Sequence, residues 1–174
     1  MQRRSLLRLG LLASVTLGMA GAGVALWTPG WRQGGFSASA RALWRAVAQA
    51  VLADLLPTDA AAREAALDQH HERLQATVAG LPPATRRELS QLLALLDLAP
   101  SRLALTGLRH AWATAGLDEV QAALQAMRLS DNSTRQQIYH ALRDLTQAAY
   151  FAGPATWGAL GYPGPAPLTG AAAS

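Results

Sequence analysis

Four histidines carry most of the side-chain chemistry this chain could perform, because it contains no cysteine. That absence excludes disulfides, thiolate metal sites, cysteine-ligated iron–sulfur clusters, haem attachment through C-x-x-C-H and a cysteine nucleophile. His70-His71-Glu72 has the residue types of a metal site. On a helix, however, adjacent histidines point about 100° apart and are poorly placed to hold one ion together. His70, with Leu67 and Leu74 nearby, reads as surface or core-edge packing. His110 and His140 are isolated candidates for a general base, and neither has a Ser nucleophile in a recognisable setting. The residues therefore give no catalytic, cofactor-binding or metal-binding assignment.

The second chemically pointed feature is Arg3-Arg4, followed by Ser5-Leu6-Leu7-Arg8 and an uncharged run from Leu9 to Trp31. A basic start, an apolar stretch and small residues near its end are the parts of a secretory leader. Consecutive arginines ahead of Leu6, Leu7 and a third basic residue, Arg8, resemble the twin-arginine address. Gln2, Leu6 and Arg8 stand where that pattern usually has Ser, Phe and Lys. Gly10, Gly18, Gly21 and Gly23 make the run less apolar than a spanning helix, although its 23 residues are long enough to cross a bilayer. Two A-x-A sites offer a cut, Ala20-Gly21-Ala22 and Ala38-Ser39-Ala40. The favoured expectation is cleavage after Ala40, or retention as an anchor with Trp27 and Trp31 at the interface. Residues 1–40 then form the leader, 41–165 the working domain and 166–174 a flexible tail.

Charge agrees with that division. The formal charge of +4 comes from the leader, where Arg3, Arg4, Arg8 and Arg32 are the only charged residues. From Arg41 onward, 11 arginines face 11 acidic residues. A neutral domain lacks the clustered positive charge that nucleic-acid binding needs.

The remaining sequence reads as helices. Arg41 to Leu56 carries apolar stripes at Leu43, Val47, Val51, Leu55 and at Trp44, Ala48, Leu52, Leu56. Pro57 stops it. Thr58 or Asp59 caps a polar helix ending at Gly80, with Leu67, Leu74 and Val78 to bury. Ala84 to Leu98 has its stripe at Leu89, Leu92, Leu93, Leu96 and Ala99. Ser101 to Ala115 is less regular and interrupted at Gly107. Asp118 caps a short helix with Val120, Leu124 and Met127 inward. Asp131 or Ser133 starts a last long helix with Ile138, Leu142, Leu145 and Ala149 on its inner face. No strand pattern appears. The expectation is all-α: an irregular bundle of about five or six helices after an N-terminal signal helix.

From Tyr150 the composition changes, and four of the chain's ten aromatics fall between Tyr150 and Pro165. Ala149-Tyr150-Phe151, Pro154, Trp157 and Leu160-Gly161-Tyr162-Pro163, preceded by Leu81-Pro82-Pro83-Ala84-Thr85-Arg86-Arg87-Glu88-Leu89, resemble the small-subunit family of gluconate 2-dehydrogenase (subunit 3, or gamma). The resemblance covers most of the domain and is weakest from Asp59 to Gly80. It implies a helical, exported and non-catalytic subunit that assists export, assembly and stability of an FAD-containing large dehydrogenase subunit acting on a sugar acid or alcohol. It further implies a multihaem cytochrome c as a possible third member, the twin-arginine translocase as export partner, and a periplasmic location, with retention at the inner membrane if the leader stays. The residues agree independently: a dinucleotide cradle needs a Gly-rich turn between strand and helix, and none is present. The flavin then belongs to the partner, and this chain holds no cofactor.

Two roles are open for the aromatic segment. Tyr150, Phe151 and Trp157 could cap the bundle core, or Trp157 and Tyr162 could dock the large subunit. The expectation is a split, with Tyr150 inward and Trp157 or Tyr162 facing the partner. The alternative function is a stand-alone, membrane-tethered periplasmic helical protein that binds a small molecule or scaffolds others.

Overall fold

The computed structural model describes residues 29–158 and 161. The leader residues Arg3, Arg4, Leu6, Leu7 and Arg8, and Tyr162 of the aromatic segment, lie outside the described residues.

The body is mostly helical, as the apolar stripes dictate, but it begins earlier than Arg41. Two strands, β1 (Trp31–Arg32) and β2 (Gly35–Phe36), pair antiparallel with Trp31 opposite Phe36. Gln33 and Gly34 join them at φ +49° and +84°. Positive φ at both central residues is what a two-residue hairpin turn requires to match strand twist, and glycine takes the second position without strain. The hairpin was not expected from sequence, because strands of two residues are too short to show alternation. Ser37 then caps α1 (Ala38–Val51), accepting the amide of Ala40 at 3.2 Å.

Five further helices follow: α2 (Ala60–Ala79), α3 (Pro83–Asp97), α4 (Ala99–Thr106), α5 (Leu117–Arg128) and α6 (Ser133–Phe151). A 3-10 turn at Pro154–Thr156 follows α6. Helix α1 runs through the middle, touching α2, α3, α5 and α6, while α2 lies along α6. Leu43, Trp44, Val47 and Ala48 of α1 are all at or below 1% exposure, as a helix with neighbours on several sides must be. The expected inward residues of α3, α5 and α6 meet them: Leu89, Leu93 and Leu96, then Val120, Leu124 and Met127, then Ile138, Leu142 and Ala149.

Several boundaries differ from expectation. Helix α1 ends at Val51, so Leu55 is exposed rather than on a buried stripe. Asn132, not Asp131 or Ser133, caps α6, accepting the amides of Thr134 and Arg135. Gly116 stands at the α5 cap position without a side-chain bond, and Asp118 lies in the first turn, where its charge complements the helix dipole. Gly107 ends α4 in the left-handed conformation at φ +80°, a position that favours glycine.

The C-terminus of α3 shows how the irregular stretch after it is held. The last four carbonyls of a helix have no partner within it. Here Ala94 O accepts from Leu98 N at 3.3 Å and Leu95 O from Ser101 Oγ. Leu96 O accepts from the Trp112 indole at 2.8 Å, and Asp97 O from Arg102 Nη1 at 2.7 Å. Trp112 is 3% exposed and Arg102 6%. A guanidinium this buried is held by carbonyls at a helix C-terminus, where the dipole favours a cation.

Candidate functional site

The end of α6 is built by the same logic and closes the far end of the bundle. Ala148 O accepts from Ala152 N at 3.0 Å, and Ala149 O from Arg73 Nε of α2 at 2.9 Å. Tyr150 O accepts from Thr156 Oγ1 at 3.2 Å, and Phe151 O from the Trp157 indole at 2.9 Å. The 3-10 turn therefore returns Thr156 and Trp157 to the carbonyls that α6 leaves over. Gly153 makes room for this, since a Cβ there would stand 3.0 Å from Arg73 Nη1. Tyr150 is buried and its hydroxyl donates to Leu55 O at 3.0 Å, tying α6 to the segment after α1. Phe151 and Trp157 are half-buried. Tyr150 and Phe151 meet edge to face at 5.3 Å.

The structure thus brings together Tyr150, Phe151 and Trp157 of the expected docking residues. Tyr150 is core and bracket, whereas Phe151 and Trp157 are only half-buried.

The histidines separate. His70 is 2% exposed and donates through Nε2–H to Thr146 O of α6 at 3.1 Å. Burial pushes its imidazole below the ordinary range; the Thr146 bond opposes this, and Arg73 adds to it. His71 points elsewhere, meeting the Phe36 ring at 5.7 Å. Burial lowers its pKa too, followed by the charge of Arg41, with Asp68 opposing. His110 is exposed and its Nδ1–H donates to Glu119 at 2.8 Å. The same carboxylate accepts the amides of Arg109 and His110, so the pair pins the loop before α5. That bond from His110 holds Glu119 below the usual carboxylate range. His140 is exposed against the Tyr139 ring. Neither His110 nor His140 hydrogen-bonds a hydroxyl, and no group of three or more metal-ligating side chains occurs, among the described residues.

One feature the sequence reading missed is a cleft of about 200 Å³ between α1 and α2, lined by Arg41, Trp44, Arg45, Leu67, His70 and His71 among others. Arg45 bridges its rim to Glu64 and to Asp68. The Trp44 indole N–H is enclosed and has no acceptor among the described residues. Only the i, i+4 spacing of Arg41 and Arg45 hinted that α1 has a polar edge.

No protein-family model, no curated protein and no solved structure matches this chain. Among the described residues, no helix is long and apolar enough to cross a membrane.

Proposed function

We propose that this chain is the non-catalytic small subunit of a periplasmic flavin-dependent dehydrogenase complex of the gluconate 2-dehydrogenase kind. It assists export, assembly and stability of a large subunit that carries FAD and acts on a sugar acid or alcohol. The twin-arginine leader supplies the address for both chains, and a multihaem cytochrome c is the expected electron acceptor where a third subunit exists. The observation that carries this reading is the fixed order of Ala149-Tyr150-Phe151, Pro154, Trp157 and Leu160-Gly161-Tyr162-Pro163 at the end of a helical body. Phe151 and Trp157 supply the half-exposed aromatic surface from which interface anchors are drawn.

The test is a search of the neighbouring genes for a flavin-oxidoreductase without a leader of its own, then co-expression with it, affinity capture of this chain and a flavin absorbance spectrum. Capture of a yellow complex from the periplasm is the expected result, reduced at least about tenfold by Trp157→Ala, the loss that about 1.4 kcal/mol of binding produces. Equal export of the flavoprotein without this chain would remove the escort role.

A second reading, a tethered helical binding protein, is favoured by the α1/α2 cleft, whose lining includes Trp44, His70 and His71. It predicts a chain that purifies alone and colourless, with no flavoprotein captured.

A further inference from the structure

The cleft between α1 and α2 carries a chemistry that the subunit reading does not use. We propose that it binds a small carboxylate of single negative charge with an apolar body, the carboxylate held at the mouth by Arg41 and the body lying against Trp44 and Leu67. This rests on the second reading above, that the cleft takes a small molecule, and gives that molecule its chemical class.

The opening exists because α2 has little to bury. Along its 20 residues only Leu67, His70, Leu74 and Val78 are buried. Trp44 of α1 belongs to the main apolar cluster of the body and Leu67 to a second, smaller one, so the cleft lies at the seam between them. Trp44, Leu67 and His70, each at or below 2% exposure, form its inner wall. Arg41 and Asp68, both exposed, and the half-buried Arg45 form its mouth. A volume of about 200 Å³ is below the roughly 300–1,000 Å³ of pockets for drug-sized molecules, which limits the occupant to a fragment-sized body.

Charge selects the head group. Arg41 and Arg45 stand one turn apart on the same face of α1. Two carboxylates of α2, Glu64 and Asp68, answer Arg45. Arg41 has no ion pair among the described residues. One guanidinium is therefore left for a ligand, and its planar fork of N–H donors matches the two oxygens of a carboxylate. A dianion such as phosphate would bring a second negative charge toward Asp68 with no cation to meet it.

His71 lines the same cleft, with its ring against Phe36 at 5.7 Å. Burial and then the charge of Arg41 lower its pKa, which keeps the imidazole neutral near pH 7.5. A neutral ring can donate one hydrogen bond to the ligand without adding charge.

The experiment is calorimetric titration of the purified full chain at pH 7.5 with benzoate, butyrate, benzamide and inorganic phosphate, with proton–nitrogen NMR of the indole groups to locate the site. Benzoate or butyrate should bind with a Kd of about 1 mM or tighter, shift the Trp44 indole signal, and lose at least about tenfold in affinity in Arg41→Gln, a change at an exposed residue. Arg143→Gln removes an equal charge from α6, and its affinity should match that of the natural chain. Benzamide binding as tightly as benzoate leaves the second reading standing and overturns the carboxylate; phosphate binding more tightly than either carboxylate overturns it too. No binding by benzoate or butyrate, a bound state that leaves the Trp44 signal unmoved, or equal weakening by the two variants also overturns the proposal.

Discussion

At the end of α3 the leftover carbonyls are taken by Leu98 N, Ser101 Oγ, Trp112 Nε1 and Arg102 Nη1; at the end of α6, by Ala152 N, Arg73 Nε, Thr156 Oγ1 and Trp157 Nε1. Each set contains one backbone amide, one hydroxyl, one arginine and one indole, so the polar bookkeeping is the same. The surroundings are not. Trp112 is 3% exposed and belongs to the main apolar cluster, while Trp157 is half-buried on a short turn that follows the last helix. Two helix ends solved by the same chemistry thus differ in how deeply the tryptophan is buried: Trp112 completes a core, whereas Trp157 stays half-buried.

The largest effect that could break this contrast is truncation of the two indoles. Trp112→Ala should cost about 3–5 kcal/mol, the range for deleting a buried large aromatic, with the Leu96 carbonyl orphaned as well. Trp157→Ala should cost only about 1–1.5 kcal/mol, close to one hydrogen bond, because its apolar surface is only partly buried. Urea denaturation of both variants measures the difference. Equal losses would mean that the α6 end is core like the α3 end, and the docking role would lose its physical basis.

Acid should separate the two ends next. The α6 end is braced by α2, through His70 to Thr146 O and Arg73 to Ala149 O, whereas the side chains bonded to the α3 end, Ser101, Arg102 and Trp112, include no histidine. His70 has its pKa lowered in the folded state, so the unfolded chain binds more protons below about pH 6.5. Stability from the neutral imidazole is therefore complete above that pH and falls as pH drops toward the folded value, by at most about 1.4 kcal/mol per unit. His71 moves in the same direction. Hydrogen exchange at pH 7.5 and 5.5, corrected for intrinsic rates, should show protection lost at α2 and the end of α6 before α3. Uniform loss would indicate that α2 does not open separately.

The contrast also marks how far the residues alone could be read. Apolar stripes located α1, α3, α5 and α6 and most of their inward faces, because burial on one side imposes the helical period on the sequence, while α2 followed from its end signals and α4 fell in a stretch, Ser101 to Ala115, that read only as less regular. Leu43, Leu93, Met127 and Ile138 are examples that needed no structure. Tertiary neighbours decided what the stripes could not. Arg102 looks like a surface residue until the α3 carbonyls are brought to it, and His70 sits on a polar helix whose buried face is set by α6. Leu55 continues a stripe that the chain abandons when α1 stops at Val51. The hairpin escaped because its two-residue strands have no period to detect, and Gln33 is an uncommon choice at positive φ. At the aromatic segment, composition pointed to Tyr150, Phe151 and Trp157 with Tyr150 inward, and the fold buries Tyr150 while leaving Phe151 and Trp157 half-buried.

The smallest expected effect is the most discriminating. Trp157→Phe keeps an aromatic face at the end of α6 but removes the indole N–H that bonds Phe151 O. Since that carbonyl lies at a helix end with a half-buried surround, water can replace the lost donor, and the cost should fall near the low end of the net hydrogen-bond range, about 0.5 kcal/mol. Stability then stays close to that of the natural chain while the two roles of the residue come apart. If the ring is the anchor, Trp157→Phe should capture the flavoprotein at nearly the natural yield where Trp157→Ala does not, because aromatic area at an interface centre carries the energy. If instead Phe and Ala variants lose the partner equally at unchanged stability, the indole N–H itself is read by the partner, and the cap bond to Phe151 must break on binding. Equal capture by both variants would return Trp157 to the same purely structural role as Trp112.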